Sequence, residues 1–151
     1  MADAGTISVL GRETSLEFWR AIRDVVPFAG ETTRALWRVS VPPAQGAEVL
    51  AKIQASVAGV RAFLDWGGGL LWLQTPDDAD VPGVLACGQS IRAALSQSGG
   101  HATLVRASLD VRRSVEVFQP QSESLAALSN RVKLQFDPKR VLNPGRMYAG
   151  V

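Results

Sequence analysis

Apolar and polar residues alternate along four short stretches of the chain, and this period of two indicates β-strands. In residues 34–41, Ala35, Trp37, Val39 and Val41 take every second position, as expected for a strand with one buried face. Three further strands are predicted over residues 60–66, 70–75 and 101–107. The glycine run at 67–69 lies between the second and third strands and predicts a hairpin.

Apolar residues at helical spacing predict four helices around these strands. The first begins at a capping box formed by Thr14 and Glu17 and runs to about Val26, where Pro27 stops it. The next two are expected over about 43–57 and 84–97. The last begins with Ser122 as its N-cap and places Leu125, Leu128, Val132 and Phe136 on one side. Residues 108–121 are predicted to be irregular.

The element order over residues 34–107 is β-α-β-β-α-β, which is the split βαβ or ferredoxin-like pattern. It predicts an α+β fold with an antiparallel sheet in the order 4-1-3-2. Two helices should cover one face of the sheet, and the first and last helices should flank the core. With 151 residues, the chain is long enough for one hydrophobic core, so we expect a single domain over 1–151.

The same alternation predicts which side chains the helices leave uncovered on the sheet. They are Arg34, Arg38, Ser40, Arg61, Phe63, Asp65, Trp72, Gln74 and Arg106. One interpretation is a solvated face with scattered charge. The other is a lid over an anionic ligand or a docking face for another domain. The aromatic rings favour the second interpretation, since such rings are frequent at interfaces.

Charge and composition exclude several function classes. The net charge is +2, and thirteen Arg stand against three Lys. Arginine suits bidentate binding of carboxylate or phosphate, although a general bias towards arginine explains the count equally well. No Lys/Arg block and no paired aromatics on the last strand indicate a nucleic-acid partner. No apolar run approaches the roughly 20 residues of a membrane span, and the first residues do not resemble a signal peptide.

Few residues offer chemistry of their own. The one cysteine, Cys87, lies in an apolar helical segment and is predicted to be a core residue. The one histidine, His101, has no second His or Cys with which to share a metal, so no metal site is expected. His101 is interpreted as a structural residue or, alternatively, as a contact to a substrate. No P-loop is present, because Gly67–Gly69 lack the Lys-Ser/Thr that would follow, and no catalytic residue is predicted.

Several segments resemble one family. The tail Phe-Asp-Pro-Lys-Arg-Val-Leu-Asn-Pro-Gly-Arg-Met at 136–147 resembles the C-terminal signature of FAD-linked oxidases of the vanillyl-alcohol-oxidase superfamily. Residues 64–72 and 99–104 are similar to the FAD-binding E subunit of bacterial glycolate oxidase, as is Phe18-Trp19-Arg20. The resemblance runs from about Ser15 to Tyr148.

The resemblance implies a C-terminal cap domain whose N-terminal FAD-binding domain is absent from this chain. In this family the cap covers the substrate side of the flavin, which accepts a hydride from a 2-hydroxy acid and leaves a 2-oxo acid. Our hypothesis is that Arg38, Arg61 or Arg106 pairs with the substrate carboxylate, and that His101 makes a polar contact to the substrate. The resemblance also implies that the tail, residues 137–151, docks on the FAD domain, with Asn143 as the cofactor-side contact.

FAD is accordingly expected in the parent protein and not on this chain alone, which should be inactive. The implied partners are the missing FAD domain, a sister flavin subunit and an iron–sulfur subunit, in the cytoplasm or peripherally at the inner membrane. Without the FAD domain, the tail beyond Phe136 is expected either to be loosely held or to contact a crystal or dimer neighbour. The alternative is a stand-alone ferredoxin-like ligand-binding or protein-interaction module, with a homodimer through its sheet face.

Overall fold

The structure is a computed structural model that describes residues 8–76 and 80–148. The chain divides into two compact units, residues 1–31 and 32–151. In the described part of the first unit lie two helices, α1 (Arg12–Arg23) and the short α2 (Val26–Ala29). Whether the whole chain acts as a single domain stays a prediction.

The described part of the second unit contains a four-stranded sheet and four further helices. They are β1 (Leu36–Ser40), α3 (Gly46–Ser56), β2 (Arg61–Asp65), β3 (Leu70–Gln74), α4 (Val81–Leu95), β4 (His101–Arg106), α5 (Leu109–Ser114) and α6 (Glu123–Phe136). All neighbouring strands are antiparallel, in the order β2-β3-β1-β4. This is the predicted order read from the other edge, so the predicted α+β ferredoxin-like fold is confirmed.

The hydrophobic core lies between the sheet and the helices α3 and α4. Its completely buried members include Trp37 and Val39 of β1, Leu71 and Leu73 of β3, Ile53 of α3 and Ile91 of α4. Cys87 of α4 belongs to the same cluster, and burial raises the pKa of its thiol to about 11. The prediction that this cysteine is a core residue is confirmed.

The indole of Trp37 is enclosed by two residues of α4. A Cβ atom on Gly88 would stand 2.9 Å from Cη2 of the indole, so only glycine lets the helix approach this closely. One turn further along α4, the guanidinium of Arg92 lies over the same ring, with Cζ 5.5 Å from the ring centroid. This contact is a cation–π interaction at a largely buried site.

Arg92 also connects α4 to the chain beyond α5. Its Nη2 donates hydrogen bonds to the backbone oxygens of Glu116 (2.6 Å) and Phe118 (3.1 Å). Between these two residues, the oxygen of Val117 accepts a hydrogen bond from Leu104 N of β4 at 2.8 Å. The segment after α5 therefore lies along the outer edge of β4.

Some helix ends differ from the prediction. α1 begins at Arg12, two residues before Thr14, and its N-cap residue is Gly11, which provides no side-chain cap, so the predicted capping box is wrong. The helix ends at Arg23, before Pro27, because Val25 adopts a left-handed conformation with φ 54°. Pro27 instead lies in the first turn of α2, where a missing N–H costs nothing.

The structure also contains a helix where irregular chain was expected. In α5 the Oγ of Ser108 accepts a hydrogen bond from Val111 N at 3.4 Å. The same kind of cap begins α6, where Ser122 Oγ accepts from Leu125 N at 3.4 Å. The predicted cap at Ser122 is confirmed, whereas the equivalent signal at Ser108 was missed.

The start of α3 depends on a glycine that touches the β2–β3 turn. A Cβ atom on Gly46 would overlap the backbone oxygen of Gly68, which cannot move without shifting the turn. We therefore expect G46A to lower the free energy of unfolding by about 1–3 kcal/mol, measured by urea denaturation.

G30A is the matched control for that substitution. Gly30 has a helical backbone conformation, and no atom of the described residues lies within 4 Å of a Cβ atom built there. Its free energy of unfolding should change by no more than about 0.5 kcal/mol. Equal stability of G46A and the wild type would contradict the close approach of Gly46 to Gly68.

Candidate functional site

The sheet face opposite α3 and α4, here called the second sheet face, carries most of the polar and aromatic strand residues. Directly paired residues on neighbouring strands point to the same face, so the register arranges this face in three rows. The rows are Arg61, Gln74, Leu36 and Arg106; then Phe63, Trp72, Arg38 and Thr103; then Asp65, Leu70, Ser40 and His101.

All four residues predicted to contact a substrate therefore lie on the second sheet face, but they do not form one cluster. Strands lie about 4.8 Å apart, so the backbones of Arg61 on β2 and Arg106 on β4 are about 14 Å apart. Arg38 on β1 is one strand from β4 and lies diagonally between Arg106 and His101. Arg106 and His101 lie two rows apart on β4, about 13 Å along the strand, so a ligand bound at Arg38 can reach either of them, whereas Arg61 stands at the far edge.

The environment of Arg61 also differs from that of Arg38. Its Nη1 donates a hydrogen bond of 3.1 Å to Oε1 of Gln74, a side chain that is completely buried. Arg61 itself is exposed. This arrangement satisfies part of a buried amide, which is a structural use of the guanidinium.

Arg38 sits in the middle of the second sheet face between aromatic rings. Trp72 is paired with Arg38 on β3. The Cζ atom of Arg38 lies 5.4 Å from the centroid of the Trp66 ring. In a stacked cation–π contact the aromatic ring lies against the flat face of the guanidinium. The N–H groups lie in the guanidinium plane and therefore point away from the ring. Arg38 is therefore held in place while its donors can pair with a carboxylate.

Trp66 owes its position to the β2–β3 turn. The residue has a left-handed conformation with φ 53°, and its N–H donates a hydrogen bond of 2.7 Å to Oδ1 of Asp65. The side chain of Trp66 is 61% exposed. Sequence reasoning did not select Trp66, because its approach to Arg38 depends on a backbone conformation that apolar residues rarely adopt.

His101 begins β4 and is exposed. Its partner across the sheet is Ser40 of β1. The position puts the imidazole at one end of the third row, close enough to the Arg38 row to contact the same ligand. Its proposed role in substrate binding remains a prediction.

The glycine run at 67–69 serves packing. A Cβ atom on Gly68 would stand 2.7 Å from the backbone oxygen of Pro43, and Gly46 packs against the carbonyl of Gly68. The turn is thus pressed against the start of α3, and we assign it no contact with the phosphates of FAD.

Residues 8–76 and 80–148 contain no group of three or more His, Cys, Asp or Glu that could hold a metal ion. Within the same ranges, no helix has the length and apolar character needed to cross a membrane.

The tail after α6 is anchored by Asp137, which is only 4% exposed. Its Oδ1 and Oδ2 accept hydrogen bonds from Val141 N (3.0 Å) and Leu142 N (2.9 Å), and Lys133 Nζ lies 2.8 Å from Oδ2. The hydrogen bond from Lys133 is the main cause that lowers the pKa of Asp137 to about 2. The two backbone hydrogen bonds act in the same direction, and burial opposes them.

Other contacts hold the tail as far as residue 148. Lys133 Nζ donates to the oxygen of Leu142, and Tyr148 Oη donates to the oxygen of Gln119 at 3.2 Å. The ring of Tyr148 lies 6.1 Å from that of Phe118. The expectation of a loosely held tail beyond Phe136 is therefore wrong for residues 137–148, and the rest of the predicted 137–151 segment lies outside the described residues.

Asn143, the predicted cofactor-side contact, lies on an exposed turn of this anchored tail. It has φ 47°, and its backbone oxygen accepts a hydrogen bond from Arg146 N at 3.3 Å. The apolar side of α6 beside it is also exposed, by 48% at Leu128 and 84% at Phe136. The tail and α6 thus present apolar surface, and Asn143 stands at its margin.

The fold and the second sheet face define a ferredoxin-like α+β domain with an arginine-centred, aromatic-lined face. No protein-family model matches the chain. The chain is 31% identical over 140 residues to the glycolate oxidase subunit GlcE of Escherichia coli (strain K12). The match covers 92% of this chain and 33% of GlcE, so the chain spans about a third of the length of this curated relative. The resemblance to the glycolate oxidase subunit is confirmed.

The anchor at Asp137 predicts a pH dependence. The carboxyl pKa falls from 3.8 to about 2 on folding, so the charged form stabilises the folded state above about pH 4. That contribution is lost as the pH falls towards 2. We expect D137N to be less stable than the wild type at pH 6, with a difference that shrinks between pH 4 and pH 2. Urea denaturation at several pH values measures both free energies, and a difference that does not change with pH would contradict the anchor.

Proposed function

We propose that this chain is a domain of an FAD-linked oxidase resembling glycolate oxidase, in which it covers the substrate side of the flavin. The 31% identity to GlcE over 92% of the chain carries the proposal. The position of Arg38 between aromatic rings on the second sheet face supports it. The substrate would be a 2-hydroxy acid and the product a 2-oxo acid.

In this proposal Arg38 binds the substrate carboxylate. A guanidinium can hold a carboxylate through two parallel hydrogen bonds, which sets its orientation as well as its position. Arg106 and His101 lie on β4 on opposite sides of the Arg38 row, and one of them would contact the other polar group of the substrate. Arg61 was predicted for the same role, but its distance from the other three makes it the weakest member of the set.

The cofactor of the parent protein would be FAD, held by a domain outside this chain. FAD would accept the hydride, and the residues of this chain would bind and orient the acid. No residue of the chain is proposed as catalytic. The tail would face the FAD domain, with Asn143 on the cofactor side, and Asp137 would hold the turn that carries it.

The wider assembly follows from the same similarity. A sister flavin subunit and an iron–sulfur subunit are proposed as partners of the parent protein, in the cytoplasm or at the periphery of the inner membrane. By itself the 151-residue chain should neither retain FAD nor oxidise glycolate. Flavin absorbance in the purified chain would contradict the proposal that FAD is held by a domain outside this chain.

The role of Arg38 can be tested in the complete flavoprotein that contains this domain. We expect R38M to raise the KM for glycolate about 10- to 100-fold, since a lost charge-assisted carboxylate contact costs about 1.5–3 kcal/mol. R38K should fall between R38M and the wild type, because lysine keeps the charge and loses the bidentate geometry. Steady-state kinetics measures these changes.

R112M provides the matched control, since Arg112 is exposed on α5 and should leave the KM unchanged. Equal KM values for R38M and the wild type would contradict substrate binding by Arg38. A full-length gene product without a flavin domain would instead favour the alternative of a stand-alone ligand-binding or interaction module.

A further inference from the structure

The two edges of the sheet differ in how they are covered. Beyond β4, the segment after α5 accepts the hydrogen bond of Leu104 N at Val117 O, and Gln119 Oε1 accepts one from Ala102 N at 3.2 Å. Among the described strands, β2 is bonded only to β3. The outer side of β2 therefore carries backbone N–H and C=O groups that can pair with another strand.

The sequence of β2 is complementary to itself. In an antiparallel pair of two copies centred on Phe63, Arg61 of each copy lies opposite Asp65 of the other. Ala62 then lies opposite Leu64, and Phe63 lies opposite its own copy. Opposite charges at directly paired positions stabilise a strand pair, and like charges destabilise it.

We propose that β2 pairs with β2 of a second copy of this chain, in antiparallel orientation about a two-fold axis at Phe63. The two four-stranded sheets would then form one continuous sheet. Such an interface is isologous, because each copy contributes the same residues to it. The proposal does not depend on the proposed function. The contact between the two copies lies at the edge of the sheet, whereas the proposed substrate contact of Arg38 lies on the second sheet face.

Charge selects the second copy over other occupants and also selects the register. Charged residues on an edge strand normally prevent association with unrelated strands. Here Arg61 and Asp65 are placed symmetrically about Phe63, so only a strand with the reversed order of charges matches both. A shift of two residues would separate both ion pairs, which makes the centred register the favoured one.

The apolar residues of β2 fit the same arrangement. Leu64 is 39% exposed, which is unusual for a strand position on the side of the core. In the centred register Leu64 lies opposite Ala62 of the second copy and diagonally opposite its Leu64. Self-pairing therefore covers an apolar side chain that the single chain leaves partly in water.

Sedimentation velocity of the purified 151-residue chain over a range of concentrations tests the proposal. We expect a monomer–dimer equilibrium. R61D places two carboxylates opposite each other at both ends of the strand pair, and D65R places two guanidinium groups there. Each substitution should weaken dimerisation at least about tenfold, because two attractive cross-strand pairs become repulsive. R112D, on exposed α5, should leave the equilibrium unchanged.

Circular dichroism of each variant checks the fold, because R61D also removes the hydrogen bond from Arg61 to Gln74, and two combinations of the substitutions test the charge pairing. The double variant R61D/D65R exchanges the charges and should dimerise within a few-fold of the wild type. A mixture of R61D with D65R should form a heterodimer, because the acidic strand of one variant matches the basic strand of the other.

Three outcomes would overturn the proposal. The first is a wild-type chain that stays monomeric at all concentrations reached. The second is a dimer that tolerates R61D and D65R, as a contact through the sheet face would. The third is failure of both the double variant and the mixture to recover the dimer although circular dichroism shows that the variants are folded.

Discussion

The burial of Trp37 is the constraint on which the rest of the structure depends. Its indole is completely buried between the sheet and α4, where Gly88 lets the helix approach and Arg92 covers the ring. Because consecutive strand residues point to opposite faces, a buried Trp37 places Arg38 on the second sheet face. A slip of one residue would bury the guanidinium and expose the indole, so the register of β1 is strongly specified.

The same constraint reaches the edges of the sheet. Arg92 contacts Trp37 and at the same time holds the segment at 116–118, which covers β4. Tyr148 joins this segment through Gln119, so the tail is tied to the covered edge. β2 lies at the opposite edge, where its symmetric charges favour a second copy. The packing of β1 under α4 thus connects the core, the second sheet face and the covered edge at β4.

Much of the fold was predictable from the sequence because the signals are local. The alternation around Trp37, the glycine run at 67–69 and the serine cap at Ser122 each act within a few residues. The resulting β-α-β-β-α-β order was sufficient for the strand order, and the alternation was sufficient for assigning Arg38, Arg61, Arg106 and His101 to one face. The short helix α5 was missed although Ser108 supplies a cap, since six residues are too few for a helical pattern to appear.

The grouping of the site could not be predicted from the sequence, because it depends on contacts between distant segments. Only the register shows that Arg38 lies near Arg106 and His101 while Arg61 stands apart. The contact of Arg38 with Trp66 requires the left-handed backbone at Trp66. Asp137 binds Lys133 one turn earlier and two backbone amides ahead, which are contacts that no local sequence pattern indicates.

The central claim is that the Arg38 face covers the substrate side of the flavin. A crystal structure of the complete flavoprotein with a bound 2-hydroxy acid or an unreactive analogue tests it most directly. The account predicts that the ligand carboxylate pairs with the guanidinium of Arg38, between the second sheet face and the flavin ring. A structure in which α3 and α4 face the flavin, or in which Arg38 is remote from the ligand, would contradict it.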